Sequence, residues 1–252
     1  MKRSGDLEYA CARVAARFGE RPAEGAWRTI AIVRGFAAFL DAAGTPPFRR
    51  WLSGITADAG PHDIEAALRA RWRALVDELC GWMPEQWHAA IAWAGALTEL
   101  PCVQHLARGA EAPSWMADDP VFAEVSRNAL QAVRRGALAP LAAAWTSPDG
   151  FMRAWVDEWW RRAPPNRRTD SGPLADCARL LIAHRAAAAD ASVSDGTLMR
   201  RTLAARLCVL YHRATLDPAA LFIFLALSAL DMERLRGELL RRALFPRLGR
   251  VG

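Results

Sequence analysis

The sequence predicts an all-α protein, a multi-helix bundle of about ten helices with funnel-like or irregular orthogonal packing. No window of Val, Ile and Thr alternates with the period of two that a half-buried strand requires. Ala, Leu, Arg and Glu dominate instead, and all four are good helix formers. A capping residue also stands directly before a proline at four places, which is a helix start signal: Thr45-Pro46, Asp119-Pro120, Ser147-Pro148 and Asp217-Pro218.

These signals predict eleven helices. In chain order they lie near 6–18, 23–42, 46–54, 62–80, 84–108, 119–135, 137–145, 148–163, 173–190, 195–214 and 218–244. Gly60-Pro61 and Gly172-Pro173 indicate the starts of the fourth and ninth helices. Pro101 should break or kink the fifth helix, because proline lacks the backbone N–H that a helix interior uses. Pro140 falls in the first turn of the seventh, where proline is tolerated.

The last helix changes character along its length. From Ala219 to Leu230 it is apolar on every side, and beyond that it becomes amphipathic and ends in arginines. A helix that is apolar all round is buried in protein or lipid. Its 12 apolar residues are fewer than the roughly 20 that a membrane span needs. We therefore predict a core helix that runs out of the core and presents a charged face at its end.

Composition and length fit a globular protein with a large core. The chain has 252 residues, of which 52% are hydrophobic and 24% charged, so neither disulfides nor metals are needed for stability. The polar, Pro-rich segment 164–172 is the one clear linker. We expect a single domain over 1–252, with a possible subdivision into 1–163 and 173–252.

Cysteine usage and charge indicate the compartment and the partners. The five cysteines are scattered without a CxxC pair, and no apolar stretch follows Met1-Lys2-Arg3, which favours a reduced, cytoplasmic protein. The net charge is +6, carried by arginine except for Lys2, and the Ala and Arg richness is typical of a GC-rich bacterial genome. Six arginines follow Met232. They either balance the helix dipole or contact an acidic partner, nucleic acid or anionic lipid.

Membrane contact through this tail is a testable hypothesis. If the tail contacts anionic headgroups, replacing Arg241, Arg242, Arg247 and Arg250 with Gln should weaken association with liposomes.

Eleven tryptophans stand out, against two tyrosines. Several have helical spacing, such as Trp155 and Trp159 at i, i+4. Packing in the core is the usual role of such large side chains. The alternative is an aromatic surface that binds a ligand or a protein partner.

The sequence lacks the common nucleotide-binding and catalytic motifs. There is no P-loop, GxGxxG, GxSxG or HExxH. Cys102 with His105, and Cys208 with His212, could together supply four zinc ligands, but the spacing matches no compact zinc module. We predict no catalytic, cofactor-binding or metal-binding residue, no cofactor and no enzymatic activity.

The carboxylate pairs are also explained structurally. Asp118-Asp119 adjoins a helix start, where acids favour the dipole. Asp157-Glu158 has Arg161 and Arg162 at ion-pair spacing. Nucleic-acid binding is not expected, because acidic and basic residues are interleaved through most of the chain. The sequence also predicts no helix-turn-helix with a basic recognition helix.

Three segments, taken in order, resemble one known family. The first has Tyr9 followed by Arg13-Val14. The second runs from Phe39 through Thr45 and Phe48 to Trp51-Leu52, and leads to Asp63-Ile64-Glu65 and Leu68. The third is the apolar run from Phe224 that leads into Glu233 and Leu235-Arg236. Together they are similar to the opening, second and closing helices of the C/d family of stalk-base proteins from A-type and V-type rotary ATPases.

The resemblance implies a mechanical function. Members of that family are all-helical, lie at the base of the central stalk on the membrane rotor ring, and grip the foot of the rotating shaft through a concave polar socket. They carry no catalytic residues or cofactor. The resemblance also implies that the apolar half of the last helix anchors the bundle and that its second half, Glu233 to Arg242, faces a partner. The chain would be a shortened, divergent member and a coupling subunit whose partners are the rotor ring and the central shaft, with peripheral contact to the membrane surface. The alternative is a helical adaptor that binds a protein partner through a tryptophan-rich face.

Overall fold

The computed structural model describes residues 5–124, 129–147, 150–169, 171–189 and 193–245. Within these ranges the chain forms helices and turns and no strand, which confirms the predicted all-α class. None of the helices in these ranges combines the length and apolar character that crossing a membrane requires.

Twelve α-helices lie in the described parts of the chain. They are α1 Gly5–Gly19, α2 Glu24–Ala31, α3 Phe36–Ala43, α4 Arg49–Leu52, α5 Pro61–Trp82, α6 His88–Trp93, α7 Leu100–Ala107, α8 Ala129–Arg135, α9 Phe151–Arg162, α10 Pro173–Ala189, α11 Val193–Arg213 and α12 Ala219–Leu244. Short 3₁₀ helices occur at Glu85–Trp87, Ala94–Glu99, Ser114–Ala117, Ala139–Ala144 and Pro165–Arg167.

Proline and glycine decide most of the helix boundaries. Pro61 and Pro173 begin α5 and α10 as predicted, and Asp217 caps α12 by accepting a hydrogen bond from the Ala219 N–H at 2.8 Å. Pro101 lies in the first turn of α7, so the predicted helix 84–108 is divided there. The predicted helix 23–42 was wrong, because Gly35 takes a φ of 80° and separates α2 from α3.

Two other predicted helices are shorter in the structure. Of the stretch 119–135, only α8 is helical in the part described, and residues 125–128 lie outside the described residues. The predicted helix 137–145 is a 3₁₀ helix at Ala139–Ala144, with Pro140 in its first turn. The start signal at Pro148 also lies outside the described residues, and α9 begins at Phe151.

Helix α12 is the centre of the molecule. It packs against α1 and α5 on one side and against α10 and α11 on the other. Its side chains from Ala219 to Ser228 are all buried, which confirms that the apolar half of the helix lies in the core. The remaining helices extend these two sides, with α3 on α12, α4 on α5, and α9 between α6 and α10.

The second half of α12 differs from the expectation. Leu235 and Leu239 continue the buried stripe, and Arg242 is only 5% exposed. The Arg242 guanidinium donates hydrogen bonds to the carbonyl oxygens of Ile30, Ala31 and Val33 at 3.3, 3.2 and 2.9 Å. Arg242 therefore faces neither a partner nor a membrane surface, whereas a partner contact of the rest of the Glu233–Arg242 half stays a prediction. Arg247 and Arg250 lie outside the described residues.

The tryptophans are core residues. Seven of the eleven are buried and the other four are half-buried. Trp93 and Trp155 join α6 to α9 by a reciprocal pair of hydrogen bonds, in which each indole N–H donates to the other residue's carbonyl, at 2.9 and 3.3 Å. The tryptophans therefore serve mainly to pack the core.

Candidate functional site

A cleft of about 870 Å³ lies in the described part of the chain. Its lining residues come from α5, the 3₁₀ helix Ala94–Glu99, α7, α9, α10 and α11. α12 runs along its length. Volumes in this range are typical of pockets for small molecules and cofactors.

The walls of the cleft change from apolar to charged along its length. On α12 the lining residues run from Phe222 and Leu225, which are buried, to Glu233 and Arg236. These positions span about 21 Å, at about 1.5 Å of rise per residue. The same change occurs on α5, where Trp72 is buried and His62, ten residues earlier, is exposed. The cleft therefore has an apolar end and a charged mouth.

Helices α10 and α11 show the same change. Cys177 and Leu203 lie toward the apolar end and are buried, whereas His184, Arg185 and Arg200 line the mouth. Burial lowers the pKa of His184, and the positive charges of Arg200 and Arg185 lower it further. The mouth is therefore a region of positive potential at which an anion is favoured.

Acidic groups are fewer than basic ones around the cleft. Among its described lining residues are four arginines and two glutamates, Glu65 and Glu233. Arg236 donates a hydrogen bond to Glu65 through Nε at 2.6 Å, so Glu65 is already paired. Burial raises the pKa of Glu233, against the opposing effect of Arg236. The positive excess of the mouth comes from Arg185 and Arg200.

Arg69 is a buried cation in the wall of the cleft. It is 5% exposed and bonds Asp119, Nη2 to Oδ2 at 3.1 Å, while its guanidinium lies 4.1 Å from the centre of the Trp115 ring. Its Nε, although buried, has no hydrogen-bond partner. Trp159 also lines the cleft, and its buried indole N–H has no partner either. Two buried donors of the wall are thus unsatisfied, and such groups are costly in a folded protein.

The predicted metal-ligand candidates have other neighbours. Cys102 lies 4.0 Å from Nη1 of Arg69, and burial raises the pKa of its thiol to about 11. Cys208 lies 3.7 Å from Nη1 of Arg21, and His212 packs edge-on against Phe18. His105 Nε2 is 3.0 Å from the carbonyl oxygen of Glu111. In the part of the chain that the structure describes, no group of three or more potential ligands could hold a metal ion.

The carboxylate pairs are engaged in ion pairs. Glu158 accepts hydrogen bonds from Arg161 and Arg162, as their spacing predicted. Asp119 has a different role from the expected one. Its carboxylate binds Arg69 and accepts a bond from the Val121 N–H at 2.9 Å, and residues 119–124 form turns rather than the start of a helix.

A second exposed feature lies where α12 ends. The bonds from Arg242 hold the turn after α2 against the last turn of α12. Ile32, Leu244 and Phe245, which are 80%, 55% and 56% exposed, lie at this end of the molecule. We refer to these three residues as the α12 end face. Exposed apolar patches of this kind commonly mark interaction surfaces.

Neither the cleft nor the α12 end face was predicted from the sequence. The cleft is lined by residues from distant parts of the chain, and the end face depends on the contact between α2 and α12. A signal for the cleft did exist, since one face of each of α5, α10, α11 and α12 changes from apolar to charged. Comparison with known proteins adds no relative, because no family model, no curated protein and no solved structure matches the chain.

Proposed function

We propose that the chain is a non-catalytic connector subunit of a V/A-type rotary ATPase, or a divergent homologue that serves another complex. The observation that carries the proposal is the contact between the segments that resemble that family. Glu65, from the second segment, accepts a hydrogen bond from Arg236, from the closing segment, at 2.6 Å. Segments that are 171 residues apart thus belong to one structural unit.

The buried residues of these segments support the same proposal. Val14, Trp51 and Phe224, one from each segment, are at most 2% exposed and belong to one hydrophobic core. α12 packs against both α1 and α5. A closing helix that packs on the opening helix provides a rigid body, and a protein that transmits force between partners needs such rigidity.

The α12 end face is the surface that we assign to protein partners. Its three apolar side chains are exposed where Arg242 holds the turn after α2 against the last turn of α12. Large side chains on a rigid support lose little conformational entropy on binding. Partners in the proposal are other subunits, namely the rotor ring and the central shaft, and contact with the membrane surface would be peripheral.

Co-purification tests this function. The affinity-tagged chain, expressed in its own source cells, is purified from gently solubilised membranes, and the recovered proteins are identified by mass spectrometry. We expect rotary ATPase subunits to be recovered in stoichiometric amounts. Ile32→Asp combined with Leu244→Asp should reduce that recovery at least tenfold, because two charges would have to be buried in the interface.

Leu198→Asp provides a matched control, since Leu198 is 66% exposed on α11, outside the end face. It should leave recovery unchanged. Recovery of one soluble protein in place of ATPase subunits would support the adaptor alternative and contradict the connector role.

A further inference from the structure

We propose that the cleft binds a single-chain amphipathic anion, with its acyl chain along the apolar end and its acidic head at the arginine-lined mouth. This binding site is independent of the connector role, because it uses the cleft and not the α12 end face. The ligand class is defined by chemistry that free fatty acids and single-chain anionic phospholipids share.

The apolar end has the chemistry that an acyl chain requires. Trp72, Trp155, Trp159 and Phe222 provide aromatic walls, and Leu225 of α12 lies beside Phe222 along the cleft. A sugar or a nucleotide would leave its own polar groups unpaired against such walls, which is unfavourable. A hydrocarbon chain loses no hydrogen bonds there and gains the free energy of leaving water.

The dimensions favour an elongated ligand. The cleft has a volume of about 870 Å³ and follows α12 for about 21 Å, from Phe222 to Arg236. Its polarity changes in one direction on four helices at once. A compact apolar ligand would use only one end of such a cleft, whereas a long amphipathic ligand matches both ends.

The arginines at the mouth of the cleft favour a ligand with a negatively charged head group. Arg200 donates its hydrogen bond to the neutral Thr197, at 3.3 Å, and lies close enough to His184 to affect its titration. Arg69 is an independent observation, because its buried Nε has no acceptor in the folded chain. A carboxylate or phosphate at the mouth supplies a charged acceptor for Arg200, and charge-assisted hydrogen bonds are stronger than neutral ones.

Tryptophan fluorescence of the purified full-length chain tests the proposal, because four of the indoles line the cleft. The chain is titrated with oleate, oleyl alcohol and octanoate, each below the concentration at which it aggregates. We expect saturable binding of oleate at one site. Oleyl alcohol, which lacks the charge, and octanoate, which lacks the length, should each bind at least tenfold more weakly. Parallel titrations with lysophosphatidylglycerol distinguish a free acid from a phospholipid as the preferred source.

Two variants place the ligand in the cleft. Arg200→Gln removes a cation of the mouth and should weaken oleate binding about tenfold. Arg201→Gln is its matched control, because the neighbouring Arg201 points to Glu24 of α2 and does not line the cleft. Ala229→Trp fills the middle of the cleft from α12 and should abolish binding.

Circular dichroism and thermal unfolding establish that each variant is folded. The proposal is overturned if oleate shows no saturable binding to the wild type. It is equally overturned if folded Ala229→Trp binds oleate as tightly as the wild type, or if Arg200→Gln and Arg201→Gln have the same effect.

Discussion

Arg242 shows how a single side chain can determine where a helix end lies. It is buried although arginine is rarely buried, and its guanidinium caps the C-terminal carbonyls of α2 while lying 4.0 Å from the centre of the Phe39 ring. The last carbonyls of a helix lack partners within the helix, and a cation near them is favoured by the helix dipole. Arg242 therefore connects α12 to α2 and α3 by hydrogen bonds and by packing.

We expect Arg242→Met to destabilise the protein by about 2–4 kcal/mol. Methionine retains much of the side-chain volume but leaves several carbonyl groups without a donor, and each unsatisfied buried group is costly. Urea unfolding followed by circular dichroism measures the loss. Arg241→Met is the control, because Arg241 is exposed and its ion pair with Glu238, at 3.0 Å, is worth at most about 1 kcal/mol. Equal effects of the two variants would contradict the capping role.

Glu99 makes stability depend on pH. Burial raises the pKa of this carboxyl, more than the neighbouring Arg73 lowers it, and Oε2 is buried without a partner. A raised pKa in the folded state means that the stabilising contribution is complete below the unfolded pKa, about 4.3, and is lost as pH rises through the folded pKa.

The wild type should therefore gain stability relative to Glu99→Gln as pH falls from 7 toward about 4.3. Each unit of difference in pKa contributes about 1.4 kcal/mol. Unfolding free energies of both proteins across this range test the prediction. A gap between the two that stays constant with pH would show that Glu99 titrates normally.

At the scale of the element, proline, glycine and apolar periodicity predicted the long helices closely. The sequence placed helices at 62–80 and 218–244, and the structure has Pro61–Trp82 and Ala219–Leu244. The failures occur where tertiary contacts compete with local signals. Asp119 looked like a helix cap, but its carboxylate is held by Arg69 at 3.1 Å, an interaction that local sequence does not reveal.

The packing of α6 on α9 depends on the paired indoles of Trp93 and Trp155. We expect Trp93→Phe to cost about 2–4 kcal/mol, because it removes a donor from the Trp155 carbonyl at 2.9 Å and leaves a small cavity. Trp159→Phe should cost clearly less, since the buried Trp159 indole N–H has no acceptor to lose. Thermal and urea unfolding of the two variants give the comparison. A larger loss for Trp159→Phe would mean that ring volume outweighs hydrogen bonding here.

At the scale of the whole molecule, the cleft is the feature that sequence reasoning could not reach. The sequence of each helix indicates which of its faces is apolar. Whether four such faces line one cleft depends on how α5, α10, α11 and α12 cross in the folded protein. The sequence did predict that the last helix is a core helix. It did not predict that charged residues of that helix also make contacts within the protein. Arg21, in the loop after α1, donates a hydrogen bond to Asp231 of α12 at 2.8 Å.

The Arg21–Asp231 pair joins the two ends of the chain, and its removal should show how strongly they depend on each other. Both side chains are 13% exposed, so Arg21→Leu leaves a largely desolvated carboxylate without its partner and should cost about 2–4 kcal/mol. Arg21→Leu combined with Asp231→Leu should recover most of that loss, because replacing both members of a buried pair by apolar residues is often neutral.

Urea unfolding of the wild type, both single variants and the double variant provides the coupling energy directly. The exposed pair of Arg153 and Asp157 on α9, 3.5 Å apart, serves as the control, and Arg153→Leu should change stability by less than about 1 kcal/mol. If the double variant is as unstable as Arg21→Leu alone, the loss belongs to the packing of Arg21 on Phe18, at 5.6 Å from its ring, and not to the charge. Recovery in the double variant would mean that apolar packing alone can hold α1 to α12, with the ion pair selecting the register between them.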